Sequence, residues 1–173
     1  MVRIEQNGFT LMEMVITLTM LAILAAIAGP YLSNGVRAYN DTSSSVHTLS
    51  NLRSASERLV REIREVRNTG TYAIFSPIVS PNSTLSFRKT DNELVTIDAS
   101  ASLLRLAYES INSPTAYTLS DELTSITFNY WQRDGVTPAN NNTDVAIIEF
   151  ELVLNHAGND YFQRSRVALR NQP

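Results

Sequence analysis

Gly8-Phe9-Thr10-Leu11-Met12-Glu13 stands at the head of an apolar run that ends at Leu32, and Met14 to Leu32 carries no charge. The fold follows from that stretch. A helix that is apolar on every side over this length can cross a hydrocarbon core of about 30 Å, which takes about 20 residues. Glu13 is the anomaly, because a carboxylate at the centre of a membrane-spanning helix costs about 2.5 to 3.5 kcal/mol on insertion scales. A charge placed there needs a partner. If the chain were cut between Gly8 and Phe9, the new amino terminus would lie about 6 Å along the helix from Glu13. The same pair can form between neighbouring subunits displaced along a common axis, which converts a buried cost into a rule for register.

An ordinary secretory signal or plain anchor is the simpler reading of this region. Ala26-Ile27-Ala28 resembles a small-residue cleavage site, and Arg3 gives the leader a positive charge that Glu5 offsets. Against it, a conventional signal rarely carries an acid at the start of its apolar core, and cleavage after Ala28 would leave Pro30 second in the mature chain. Only Arg37 lies just beyond the run, so charge bias does little to set orientation.

With 173 residues and a formal charge of −3, the chain has room beyond its apolar segment for one modest domain. There are no cysteines, which removes disulfides and thiolate metal sites. The acidic balance and scattered arginines make no basic patch of the kind nucleic acid binding requires.

From Phe9 to about Asn68 the pattern predicts one long helix or two in tandem. Gly29-Pro30 should interrupt the ladder, because proline offers no donor and its ring crowds the preceding turn. Gly35 and Asp41-Thr42-Ser43-Ser44-Ser45 are further weak helix formers, so a bend or softening is expected between Gly29 and Ser45. Beyond it Val46, Leu49, Leu52, Ser56, Leu59, Ile63 and Val66 form an apolar stripe at three-and-four spacing. The stripe should pack on the protein's own sheet rather than on a second helix as a coiled coil, because it is short and a β-rich segment follows. Its opposite face offers Arg53/Glu57, Glu57/Arg61, Arg58/Glu62 and Arg61/Glu65 as solvated pairs of about 0.2 to 0.5 kcal/mol each. Asn68-Thr69-Gly70 should stop the helix.

From Tyr72 the period changes to two. Strands are expected at Tyr72 to Phe75, Thr84 to Lys89, Glu93 to Asp98, Leu103 to Glu109, Thr124 to Gln132, Asp144 to Leu154 and Phe162 to Arg170. Thr90-Asp91-Asn92 reads as a turn, and Pro77, Pro81 and Pro114 as loop or edge residues. Folding the last two strands together at Asn155 to Asp160, with Leu154 opposite Tyr161, sets Glu151 across from Arg164 and Glu149 across from Arg166. Exposed pairs of this kind are worth about 0.2 to 1 kcal/mol and choose register more than they stabilise.

A search for catalytic residues comes back empty. His47 and His156 are far apart, and no nucleophile elbow or phosphate loop is present. No metal site and no cofactor is expected. The segment from Asp134 to Asp144 is rich in oxygen ligands, but it lacks EF-hand spacing and a distal bidentate acid, which favours a plain polar loop over calcium.

The opening motif resembles the class III signal of the type IV pilins and pseudopilins, a polar leader ending in glycine followed by Phe-Thr-Leu-x-Glu. Pro30 falls where these families often place a helix-kinking proline. The resemblance implies an α+β, pilin-like fold: a leader over residues 1–8, a transmembrane and filament-core helix over 9–32, an amphipathic continuation over 33–70, and a β-rich periplasmic head over 71–173. It implies cleavage between Gly8 and Phe9 by a prepilin peptidase that also N-methylates Phe9. Glu13 would then act in assembly and register, and Gly29 with Pro30 as a kink. A glycine suits the cut because a side chain there would obstruct a protease. The implied partners are other major and minor pilins, the peptidase, the inner-membrane assembly platform and, before assembly, membrane lipid.

Leu59-Val60-Arg61-Glu62-Ile63-Arg64, Leu85-Ser86-Phe87-Arg88, Ile126-Thr127-Phe128-Asn129-Tyr130 and Val167-Ala168-Leu169-Arg170-Asn171 are similar to the J-like and W-like minor pilins and pseudopilins. The closing Arg170-Asn171-Gln172-Pro173 is similar to the O-type minor subunits of mannose-sensitive haemagglutinin (MSHA) pili. Many pilins pin their C-terminal region with a disulfide, so a cysteine-free chain points to a minor subunit. Because Glu13 is present, the resemblance is not to the K-type subunit, which lacks the acid and occupies the extreme tip. A type II secretion pseudopilus is the nearest alternative, and a membrane-tethered adhesin or ligand-binding domain is an alternative of another class.

Overall fold

The computed structural model describes residues 9–67, 74–110 and 113–169. One helix, α1 (Leu11–Arg64), is followed by seven strands: β1 (Leu85–Arg88), β2 (Leu94–Ser100), β3 (Leu103–Ser110), β4 (Ser113–Ser120), β5 (Leu123–Trp131), β6 (Ile147–His156) and β7 (Asn159–Ala168). This is the expected α+β, pilin-like layout, with a long apolar helix first and antiparallel sheets after it. The chain divides into two compact units between Ser43 and Ser44.

In the first unit every residue from Phe9 to Ser43 is exposed, although leucine, isoleucine, methionine and alanine dominate the sequence there. The portion from Leu11 to Leu32 rises about 33 Å at 1.5 Å per residue, enough to cross a bilayer core. The expected interruption of the ladder is not found, since α1 runs through Pro30 and Gly35 as one helix. Proline removes one donor and crowds one turn, while the flanking turns keep their bonds. Continuity does not forbid a change of axis at Gly29 and Pro30, because kinked helices retain most of their ladder.

In the second unit α1 buries Thr48, Leu52, Ala55, Ser56, Leu59, Glu62 and Ile63. Val46 and Leu49, expected at the head of this stripe, are exposed instead. Hydroxyl residues take the inward positions there: Tyr161 donates to Ser45 Oγ at 2.8 Å, and Thr48 is wholly buried. The helix also stops earlier than expected. Val66 bridges to Lys89 and the Arg67 amide donates to the Arg88 carbonyl at 2.8 Å, so tertiary hydrogen bonds draw the chain out of the helix. The expected stop at Asn68-Thr69-Gly70 lies outside the described residues.

The strands form two antiparallel meanders, ordered β1-β2-β3-β4 and β5-β6-β7. A bridge from Ile74 to Phe87 covers part of the outer edge of β1. That bridge is what the described residues retain of the strand expected at Tyr72 to Phe75, whose first half lies outside them. β4 was not anticipated. Its pairing runs Ala107 opposite Ala116 and Tyr108 opposite Thr115, and its one alternation, Tyr117 and Leu119 against Thr118 and Ser120, is short and follows a proline. Thr90-Asp91-Asn92 turns as expected, with Asn92 at φ 76.

β6 and β7 pair in the expected register, with Leu154 opposite Tyr161, Glu151 opposite Arg164 and Glu149 opposite Arg166. A two-residue loop joins them, with Ala157 at φ 52 and Gly158 at φ 83, a conformation that suits the strand twist and favours glycine. Ile148, Phe150, Leu152 and Leu154 point inward and are completely buried. The core they complete brings Phe150 against Phe128, ring centroids 6.4 Å apart.

Candidate functional site: the capped start of an exposed apolar helix

The site begins at the first turn of α1, where the sequence is Thr10-Leu11-Met12-Glu13. The Glu13 amide donates to Thr10 Oγ1 at 3.3 Å. In return Glu13 Oε2 accepts from the Thr10 amide at 3.5 Å and from its hydroxyl at 3.4 Å. These reciprocal contacts form a capping box, which satisfies amides that a helix start otherwise leaves open. The carboxylate also sits at the positive end of the helix dipole. Glu13 is therefore held by its own helix when no other partner is present. The Thr-x-x-Glu spacing was legible in the sequence, yet the expectation for Glu13 looked outward for a partner and gave Thr10 no bonding role.

Beyond this turn the two threonines of the apolar run are satisfied locally. Thr17 donates to the Met14 carbonyl at 3.0 Å, and Thr19 to the Ile16 carbonyl at 2.8 Å. Bonded to their own helix in this way, threonines are tolerable in an apolar surrounding. Phe9 is 78% exposed, so the first residue after the expected cut is unencumbered. Gly8, the other half of the expected cleavage site, lies outside the described residues. Gly29 and Gly35 have nothing within 4 Å of an added Cβ, so neither glycine is required by contacts among the described residues.

Residues 4–29 match the prokaryotic N-terminal methylation motif. That match supports the type IV pilin and pseudopilin group. It suggests a structural, non-enzymatic subunit, and it is consistent with membrane anchoring through the apolar helix. The match ends within α1, so it speaks for the anchor and not for the head. No curated protein is matched by the sequence.

The head holds two charged clusters whose burial the sequence did not foretell. Glu62, expected on a solvated face, is 3% exposed. Its Oε1 accepts from Tyr108 at 2.8 Å and from Arg58 at 2.9 Å, and Lys89 lies 3.4 Å from its Oε2. Of the four helix pairs anticipated, Arg53 with Glu57 and Arg58 with Glu62 form, whereas Glu65 turns to Lys89 at 2.8 Å. Burial lowers the Lys89 pKa, but the Glu65 hydrogen bond and the Glu62 charge outweigh it, leaving the ammonium above its ordinary value. Burial raises the Tyr108 phenol.

The second cluster centres on Glu149, which is 1% exposed. Arg164 and Arg166 both bond to it. Arg164 thus leaves its direct neighbour Glu151 for the diagonal, so the anticipated pair of exposed salt bridges is instead one buried carboxylate clamped by two cations. Burial favours the neutral acid, but the hydrogen bonds from Arg164 and Arg166 prevail and hold the carboxyl below its ordinary range. Arg166 also lies over the Trp131 ring, 5.3 Å from its centroid.

The remaining candidates make no catalytic constellation. His47 contacts Asn51 at 3.3 Å, while His156 meets Glu122 at 2.6 Å. Asp134 spends its carboxylate on its own turn, accepting from the Thr137 hydroxyl at 2.5 Å and the Val136 amide at 2.9 Å. The Thr137 hydroxyl, then the Val136 and Thr137 amides, lower its pKa. Among the described residues no group of three or more histidine, aspartate or glutamate side chains is placed to hold a metal ion.

Proposed function

We propose that this chain is a minor type IV pilin, of the MSHA-like group, that enters or primes a pilus filament used in adhesion. The observation that carries this reading is the coincidence of the methylation motif over residues 4–29 with a helix whose apolar residues are exposed on every side. In this reading residues 1–8 are a leader, 9–32 span the inner membrane and later the filament core, 33–70 continue into the head, and 71–173 stand in the periplasm. A prepilin peptidase cuts after Gly8 and methylates the new amine of Phe9.

Glu13 then serves twice. Before processing, its carboxylate is satisfied by Thr10; afterwards an ammonium at Phe9, from this helix or a neighbour, is a stronger partner than a neutral hydroxyl. Leaving lipid forfeits contacts that other apolar helices must replace, so a charge pair at one height fixes the register of otherwise featureless surfaces. Gly29 and Pro30 let the axis change direction where subunits pack.

Mass spectrometry of the membrane-extracted chain tests the processing step. The wild type should end at Phe9 with one added methyl group, and Gly8→Leu should accumulate as full-length precursor; normal shortening of that variant would refute this route. Glu13→Val tests assembly. Pili counted by electron microscopy should fall sharply, whereas undiminished pili would mean that the helix is only a tether. Loss of protein secretion with pili intact would move the chain to a type II pseudopilus.

A further inference from the structure

A groove of about 470 Å³ lies between the last turns of α1 and the edge strand β7, lined by Ser56, Val60, Arg61, Arg64, Gln163 and Ser165 among others. Its acids are engaged elsewhere: Glu57 with Arg53 at 3.8 Å and Glu65 with Lys89 at 2.8 Å. Among the described residues the side chains of Arg61 and Arg64 have neither an ion pair nor a hydrogen bond. Their position in the final turn of α1 offsets the negative end of the helix dipole, but that needs only nearness. The planar donor forks of both guanidiniums are left open.

β7 supplies the second half of the site. It is the terminal strand of its sheet, and the Leu169 amide bonds the Ala146 carbonyl at 2.9 Å. In an antiparallel ladder of that register, Tyr161, Gln163, Ser165 and Val167 spend their backbone groups on β6. Phe162, Arg164 and Arg166 therefore direct theirs away from the sheet. The Ser165 hydroxyl meets Ser56 of α1 at 3.3 Å, so side chains on this face of β7 turn toward the helix, into the groove.

We propose that this groove seats an extended acidic segment of a neighbouring subunit, which adds to β7 as a further strand and lays its carboxylates on Arg61 and Arg64. Alternate side chains of such a strand share one face and repeat about every 6.8 Å. Arg61 and Arg64 rise about 4.5 Å apart along the helix, a mismatch their long side chains absorb. Charge selects the occupant, since two open cations reject a basic strand and leave an apolar one with unpaired donors buried beside it. A second copy of this chain does not fit. It has two pairs of alternating acids: Glu149 and Glu151 lie in the central strand of their own sheet, and Asp91 and Glu93 are held in a tight turn, where Asp91 accepts from the Glu93 amide at 3.1 Å, so neither pair is free to be donated as an extended strand. The class of partner, another filament subunit, rests on the filament reading above.

The test places the photo-cross-linker p-benzoylphenylalanine at Gln163 of the full chain in piliated cells, with the adduct mapped by mass spectrometry. The expected adduct lies in an extended segment of a different pilin-type subunit, with aspartate or glutamate at alternate positions. Its yield should fall about tenfold or more in Arg61→Glu/Arg64→Glu, where like charges face each other, and persist in Arg61→Lys/Arg64→Lys. Trp131 fluorescence melts establish that the reversed chain is folded, and the single reversals carry the test if the double does not fold. An adduct to an identical chain, to a helix or to lipid overturns the proposal, as does one indifferent to charge reversal. Absence of any adduct, with pili that still depend on Glu13, refutes the groove alone; pili indifferent to Glu13→Val refute the filament reading instead.

Discussion

Removing either side of the Glu149 cluster should have unequal effects, and the inequality follows from exposure. Glu149 is 1% exposed, whereas the side chains of Arg164 and Arg166 are 57% and 51% exposed. In Glu149→Leu the two cations lose their partner but regain water, and the desolvation of a carboxylate is no longer required. The net cost should be about 0 to 2 kcal/mol, as for buried ion pairs replaced by apolar residues. In Arg164→Met/Arg166→Met the acid stays buried without donors, a loss of about 3 to 5 kcal/mol. Protonating it instead at pH 7, from a reference near 4.3, costs about 3.7 kcal/mol at 1.36 per unit, so both routes agree. Trp131, the only tryptophan, lies under Arg166, and its fluorescence during thermal unfolding of the detergent-solubilised full chain reports the cluster directly. The pH dependence carries a sign. A carboxyl depressed in the fold contributes stability that is present above its unfolded pKa and is lost as pH falls through the folded value. Wild type should therefore lose more stability on acidification than Glu149→Leu, while the double arginine variant should gain relative to its own neutral value. Equal destabilisation by the two variants, or parallel acid profiles, would refute the reasoning.

Lys89, raised above its ordinary pKa by Glu65 and Glu62 against the lowering effect of burial, contributes stability present at neutral pH and lost as pH rises through its folded value. Lys89→Met should cost about 3 kcal/mol near neutrality, by leaving Glu62 and Glu65 adjacent, and should flatten the alkaline limb of a stability profile. Leu59→Ala, at a completely buried position on α1, should destabilise the chain by about 2 to 5 kcal/mol in the same melts. Thr10→Val removes the cap that holds Glu13 and should weaken the first turn by about 1 kcal/mol. Amide exchange should then quicken at Met14 and its neighbours in micelles, and remain unchanged in the middle of the apolar segment.

The β6–β7 hairpin was legible because its charges repeat with period two and its loop contains Gly158, so one register alone pairs opposite signs. β4 was illegible for the converse reason. Tyr117 and Leu119 alternate with Thr118 and Ser120 over only four residues and carry no charge pattern, and Pro114 reads as punctuation, so only pairing with β3 makes the segment a strand. On the helix, the arginines and glutamates looked like one solvated face because i,i+4 spacing describes neighbours on a cylinder and not what lies over them. Tyr108 and Lys89 come from distant strands and turns to cover Glu62. The Thr10 cap, by contrast, is entirely local, and its spacing is written in four consecutive residues.

The sequence by itself determined the anchor. An uncharged run long enough to cross a bilayer, a single acid near its start and a glycine before it are one-dimensional facts, and the chemistry they imply acts over one or two helical turns. It also determined the order helix then strands, since the hydrophobic period is local. Only the tertiary structure decided which charges are buried. Desolvation depends on everything that packs over a side chain, so Glu62 and Glu149 became clamped core carboxylates, while Arg61 and Arg64, on the same helix as Glu62, are left open among the described residues beside the terminal strand of a sheet.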